Sequence, residues 1–490
     1  MKKIVKFSLL AIMLLGFTTS CFKDNDDDSI TNSDINDFVW KGMNAVYLYK
    51  AEIPDLANNR FSSNSEYTDY LNSFSEPEEL FESLIYQRET VDRFSWITDD
   101  YIALEQQLSG TFKSNGLEFN FYLKPGSTTS VFGIIRLVLN NSVASSLNLQ
   151  RGQVFDAING TALTASNFNS LLNQDTYTLN FADYNDNGTP EVADDTIISN
   201  SQSVTLTKQP YSENPVYLTD IFTINNENVG YLVYNGFISD YNTQLNAAFG
   251  QFVANNVQHL VLDLRYNPGG SVNTAALLGS MITGQFNGQV FSKLIYNPDL
   301  QQLNTDFNFS NSLPNGGGSI NSLNLDKVYV LTTNRSASAS EMIINSLKEY
   351  ITVVQIGANT TGKSQASVTI YDSPDFSSNN VNPRHTYAMQ PLVAISVNKN
   401  NGQVPSTGLV PTPGLELTES PSNFGFLGAI NEPLLAAALA DIDGTGRINY
   451  TPQETFTPLK DKVDYKPYEE GMYIDNTLVL PTLKKLYLNQ

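Results

Sequence analysis

The sequence predicts a multidomain α+β protein, and three observations carry that expectation. The chain is 490 residues long, more than a single hydrophobic core ordinarily serves. Apolar residues make up 41 % of it and charged residues 16 %, the balance of a folded chain. Its texture also changes twice along its length. Helical spacing gives way to short β-rich runs near Gly116, and beyond about residue 215 strands alternate with helices.

The opening residues read as an export signal. Lys2, Lys3 and Lys6 precede an apolar run, Phe7 to Phe17, too short to span a bilayer comfortably. Thr18, Thr19 and Ser20 then lead into Cys21, the sole cysteine of the chain. Residues 1–20 read as a bacterial lipoprotein signal with Cys21 as the acylated residue; a plain signal peptide is the alternative. One cysteine permits no intrachain disulfide, so the fold stands on packing alone. Residues 21–33, which include Lys23-Asp24-Asn25-Asp26-Asp27-Asp28, form an acidic tether. That run resembles the surface-export signal of some Bacteroidetes lipoproteins and serves equally as a charged linker. The expected location is the cell envelope, lipid-anchored at the outer membrane on its periplasmic face or at the cell surface. A formal net charge of −22, from 28 Lys+Arg against 50 Asp+Glu, argues against a nucleic-acid partner.

Residues 34–108 read as an N-terminal helical domain. Phe38, Trp40, Met43, Val46 and Tyr47 fall at helical spacing after the capping candidates Asp34 and Asn36. Pro77 followed by Glu78 and Glu79 suits the first turn of another helix. Arg93-Phe94-Ser95-Trp96 follows, and no chemical role is expected of this region.

Residues 112–209 read as β-rich. Leu117 to Leu123 and Val131 to Leu139 have strand composition, and Ser142 to Leu147 is a short helix candidate. The run Leu149 to Gly160, a turn glycine followed by a strand ending in Ile158-Asn159-Gly160, resembles the corresponding stretch of PDZ domains. The resemblance places Gly116, Leu117, Glu118 and Phe119 where such domains keep their carboxylate-binding loop. There a free peptide tail adds as a strand to an open sheet edge. Asp183, Asn185, Asn187, Gly188 and Asp194 follow calcium-loop spacing, as do Asp441, Asp443 and Thr445 in part, and both read as surface turns. No metal or other cofactor is called for.

Residues 215–440 read as an α/β core, with 441–490 a C-terminal extension. Strands are expected over 229–234, 259–265, 327–333 and 352–357, with a helix over 241–254. The strand 327–333 runs into Ser336-Ala337-Ser338-Ala339-Ser340-Glu341 and an amphipathic helix. A serine at a strand-to-helix junction lies among unpaired N–H groups at the positive end of a helix, which favour a developing oxyanion. Serine still needs a base. Of the two histidines, His259 opens a core strand and His385 stands in no base motif. A lysine serves instead where burial leaves its amine neutral.

The segments DLRYNPGG (263–270), SASASE (336–341) and TTGK (360–363), in that order, resemble the carboxyl-terminal processing (tail-specific) peptidases. The resemblance covers roughly residues 112–417, and the helical part before it looks like the extension of lipoprotein members from Bacteroidetes. It implies a protease core of the crotonase-like/ClpP-like type, Ser338 as nucleophile and Lys363 as general base. It also implies an oxyanion hole from Gly269, Gly270 and Ala339, with Ser336 and Ser340 as capping and packing residues. Many members carry a glutamine where this chain has Ser367, so Gln365, on the same face of a strand, becomes the candidate to orient Lys363. Thr412 stands where the family tends to have Asp. The implied function is a serine endopeptidase acting on polypeptides with free C-terminal tails. The alternative is an envelope lipoprotein that holds such tails without cutting them. The oligomeric state is not legible from the sequence.

Overall fold

A computed structural model describes residues 30–445, 456–459 and 471–474. Cys21, the residues before it, most of the acidic tether and much of the C-terminal extension lie outside the described residues.

The first helix, Asn32–Val46, starts where the sequence can close it. The Thr31 hydroxyl accepts from Asp34 N–H, and the Asp34 carboxylate accepts from Thr31 N–H at 3.0 Å. Ile35, Phe38, Val39, Met43 and Val46 recur along one face and are buried with Leu71, Leu80 and Phe81 of the helices Asn64–Leu71 and Pro77–Ser83. Two features tie these N-terminal helices to the rest of the chain. A strand, Trp96–Thr98, pairs antiparallel with Ala388–Gln390 from far along the chain. Val39 and Met43 also share one continuous core with Leu262 and Val330, so the helices have no core of their own. Gly42 is the contact point, since a Cβ there would lie 2.5 Å from the Met389 side chain.

The β-rich module does keep its own core, built from Leu117, Phe119, Phe121, Ile135, Phe155 and Leu179 among others. Its strands Leu117–Leu123, Val131–Val138, Val154–Ile158, Thr176–Asn185 and Thr196–Thr207 follow one another antiparallel in sheet order. The outer edge of Leu117–Leu123 is paired with Pro458–Leu459. The acidic hairpin tip is held by its own hydrogen bonds, with Asn200 donating to Asp183 at 2.9 Å and Thr189 to Asp194 at 2.9 Å.

The main sheet runs Val216–Ile224, Glu227–Tyr234, Val257–Asp263, Lys327–Thr332, Thr352–Gly357. Its first pair is antiparallel and the rest parallel, because helices Asn242–Ala254 and Ala339–Leu347 carry the chain back between parallel neighbours. Alternate residues go to opposite faces. Leu260 and Leu262 pack with the helices of the large core, while Val261, Tyr231 and Tyr329 meet Leu434, Leu435 and Ala438 of helix Pro433–Asp443. Both faces are covered, which is why these strands are apolar throughout. A second sheet contains Gly270–Ser271, Met472–Tyr473, Gln365–Ser367 and Leu392–Asn398 in that order. The two sheets meet where the parallel strands end at Asp263, Thr332 and Gly357, the end of an open α/β sheet at which ligands ordinarily bind.

Candidate active site

Three turns converge at those strand ends. The turn 264–270 and the turn 333–338 are bound to each other by serine and threonine hydroxyls. Ser336 Oγ donates to Leu264 O at 2.7 Å, Ser340 Oγ to Asn267 O at 2.9 Å, and Thr333 Oγ1 to Arg265 O. Ser336 and Ser340 therefore serve packing, as expected. Ser338 differs from both. It is fully buried, its Oγ has no hydrogen-bond partner, and its backbone stands at φ +63°, ψ −111°. A positive φ in a residue with a Cβ costs on the order of 1–3 kcal/mol, so strain and an orphaned hydroxyl coincide at one residue. Helix Ala339–Leu347 begins immediately after it, placing the first-turn N–H groups beside that hydroxyl.

The third turn, 358–363, carries Lys363. Its side chain is buried, with Nζ 4.7 Å from the centre of the Phe94 ring. Neighbouring Arg93 donates to Gly362 O at 3.1 Å. The segment expected to have no chemical role thus covers the candidate base.

Glu341 joins the serine turn to the lysine turn. Its buried carboxylate accepts from Ser338 N–H at 2.8 Å, Gly362 N–H at 2.7 Å, Lys363 N–H at 2.8 Å and the Thr360 hydroxyl. Burial pushes the Glu341 carboxyl above its ordinary value, against the hydrogen bonds it receives. The sequence marks Glu341 only as the end of a motif and a first-turn acid. Its bonds to a segment some twenty residues away have no local signal.

The glycine turn is shaped by close approach. Gly269 and Gly270 stand at φ +114° and +132°, and a Cβ on Gly269 would lie 2.7 Å from Ser338 Cβ. Gly269 N–H, however, donates to Asn267 Oδ1 at 2.9 Å. Of the expected oxyanion-hole residues, Gly269 is thus engaged by Asn267 and Gly270 pairs with Met472 in this structure, and both remain candidates beside Ala339.

Gln365, expected to orient Lys363, bonds elsewhere in this structure. Its amide nitrogen donates to Tyr49 Oη at 3.1 Å and its buried carbonyl oxygen has no hydrogen-bond partner, so it makes no hydrogen bond to Lys363. The Ser367 hydroxyl bonds Gln390 at 2.8 Å. Neither histidine enters the site, since His259 meets Glu227 at 2.6 Å and His385 meets Asp372 at 2.9 Å.

A cavity of about 1020 Å³ lies between the β-rich module and this site, with Glu118, Phe121, Gly269, Gly270 and Phe94 in its walls. It brings one of the four expected tail-binding residues beside the glycine turn. Leu117 and Phe119 instead turn into their own core, and Gly116 holds φ +88° against Ser142. Glu118 is paired with Arg136 at 3.1 Å.

Mixed helix and sheet in several modules, with a helical N-terminal part, is the architecture of the S41 proteases. Residues 228–381 match the profile of peptidase family S41 and residues 34–96 that of the peptidase S41 N-terminal domain. An S41 protease structure from Bacteroides fragilis is 28 % identical, covering 83 % of this chain and 97 % of that one with a TM-score of 0.66. A Staphylococcus epidermidis protein named as a CtpA-like serine protease is 31 % identical over 136 residues, 28 % of this chain and 25 % of its own length. A carboxyl-terminal-processing protease of Picosynechococcus is 24 % identical over 174 residues, 36 % of this chain and 38 % of its own. The chain thus spans about a quarter of the length of the first of these curated relatives.

Proposed function

We propose that this chain is a serine endopeptidase that cuts polypeptides near their C-terminal tails, with Ser338 as nucleophile and Lys363 as general base. The observation that carries the reading is the buried, strained and unpartnered Ser338 hydroxyl, joined through Glu341 to the turn that bears Lys363. A neutral lysine amine takes the hydroxyl proton as Oγ attacks the scissile carbonyl carbon. The oxyanion that forms is met by the N–H groups of Ala339 and Gly270. The C–N bond then breaks, the lysine returns the proton to the leaving amine, and water hydrolyses the acyl-enzyme.

In this reading residues 112–209 act as a PDZ-like module that receives the tail along strand Leu117–Leu123, and the cavity leads from it to the glycine turn packed against Ser338. Ser338 Oγ is not hydrogen-bonded to Lys363 in this structure, so the pair tightens when substrate arrives. The envelope location and the lipid on Cys21 complete the proposal.

The test is cleavage of an unfolded reporter with an apolar C-terminal tail by wild type, Ser338→Ala and Lys363→Ala. Loss of cleavage in both variants is expected. Cleavage by Ser338→Ala would refute the nucleophile, and an inert wild type that still binds the tail would favour the holding protein.

A further inference from the structure

We infer that the chain's own C-terminal region carries a substrate-like occupant of the path just described, and that a peptide tail must displace it. This rests on the peptidase reading and adds its regulation.

A tail that adds to a sheet edge needs unpaired backbone groups there. On strand Leu117–Leu123 those groups are already taken over residues 121–123. Pro458 and Leu459 pair antiparallel with Tyr122 and Phe121, and Leu123 N–H donates to Thr457 O at 3.0 Å. Phe456 anchors the piece, its ring 5.1 Å from that of Phe132 and 5.9 Å from those of Tyr122 and Tyr184.

A second piece lies at the chemical end. Met472–Tyr473 is an extended strand between Gly270–Ser271, at the candidate oxyanion turn, and Gln365–Ser367, two residues after Lys363. Met472 pairs with Gly270 on one side and Ala366 on the other. Ile474 N–H donates to Ser367 O at 3.1 Å, Ser367 Oγ lies 3.2 Å from Met472 O, and Tyr473 Oη donates to Phe237 O at 3.3 Å. Met472 and Ile474 are buried as an apolar substrate side chain would be. Phe456, Pro458, Leu459 and Tyr473 all line the cavity that Gly269 and Gly270 line.

Two pieces of one chain therefore hold both places that an extended substrate needs. Each is a two-residue strand, so each can open locally without unfolding the sheets behind it. Being part of the same chain, the occupant competes at high effective concentration, which sets a threshold that only a well-matched tail exceeds.

The first test uses the full chain with Ser338→Ala, an excess of reporter peptide with a free apolar C-terminus, and hydrogen exchange. Exchange at 456–459 and 471–474 is expected to rise ~10-fold or more on binding, while Val257–Asp263 stays protected. Unchanged protection at 456–459 and 471–474 with peptide bound would overturn the inference and leave the peptidase reading intact. A reporter that does not bind would overturn tail recognition and this inference together. The second test is the full chain with Leu459→Asp and Met472→Asp. Its kcat/KM on the reporter is expected to rise ~10-fold, and an excess of a synthetic peptide of residues 456–474 to suppress it. A kcat/KM no higher than wild type, in a variant whose circular dichroism is native, would count against the occupant. Absence of fluorophosphonate labelling of Ser338 in both chains would instead remove the peptidase reading beneath it.

Discussion

Ser338 holds a conformation that folding alone does not favour. Its hydroxyl is buried without a partner and its φ is positive, whereas Ser336 and Ser340 beside it each bond a carbonyl of the neighbouring turn. The three serines therefore respond differently to alanine. Removing an orphaned hydroxyl returns a desolvation penalty, so Ser338→Ala is expected to keep or raise stability by up to about 1 kcal/mol while cleavage is lost. Both carbonyls keep a backbone donor, so Ser340→Ala loses one hydrogen bond and about 0.5–1.5 kcal/mol, while Ser336→Ala also takes the acceptor from Thr333 N–H and loses about 1–3 kcal/mol. Urea denaturation of the three variants beside the reporter assay checks this. A destabilised Ser338→Ala would mean that the serine serves packing after all.

The elements at the site are joined by groups far apart in sequence, and this decides what was legible. The strand 117–123, the strand 352–357 and the serine-bearing junction were readable because composition and spacing are local signals. Arg93 and Phe94 were not, because they touch the lysine turn some 270 residues away. Nor was the capture of Gly269 N–H by Asn267, a matter of side-chain rotamer rather than of residue type. Trp96–Thr98 read as part of a helical region because its partner strand, Ala388–Gln390, lies elsewhere in the chain. Glu341 is the joint most open to test. In Glu341→Gln an NH2 replaces one carboxylate oxygen; in the Oε1 place it would face Gly362 N–H, which would have no acceptor. The Thr360 hydroxyl can turn to accept, but the amide cannot. A loss of about 1–3 kcal/mol in stability follows from one orphaned buried donor. Displacing the lysine turn from Ser338 is expected to lower kcat by roughly 100-fold with KM changed far less, read by single-turnover cleavage.

At the scale of the molecule, the β-rich module and the core are linked by buried charge. Arg151, in the turn before strand Val154–Ile158, donates to Tyr266 Oη at 2.7 Å and pairs with Glu419. Glu419 also receives Arg265 at 2.8 Å and the Tyr266 hydroxyl at 2.7 Å. Arg265 in turn is held by Asp263 and Glu432, at the root of the glycine turn. A movement of the β-rich module is therefore felt at Tyr266, three residues from Gly269. Burial alone would raise the Glu419 carboxyl, but the Arg151 and Arg265 guanidiniums outweigh it and hold the group below its ordinary 4.5. The sign follows from that depression. Glu419 contributes stability at pH above 4.5, and the contribution is lost as pH falls through the lower folded-state value. Glu419→Gln leaves the buried Arg151 guanidinium without the Glu419 carboxylate, while Arg265 keeps Asp263 and Glu432, and is expected to cost about 3–5 kcal/mol at neutral pH. Its denaturation midpoint should also vary less with pH than that of wild type below about 4.5, because the titrating group is gone. Midpoints in urea from about pH 7 to about pH 3 measure both effects. Parallel acid profiles for the two chains would show that the link between module and core does not depend on the Glu419 charge.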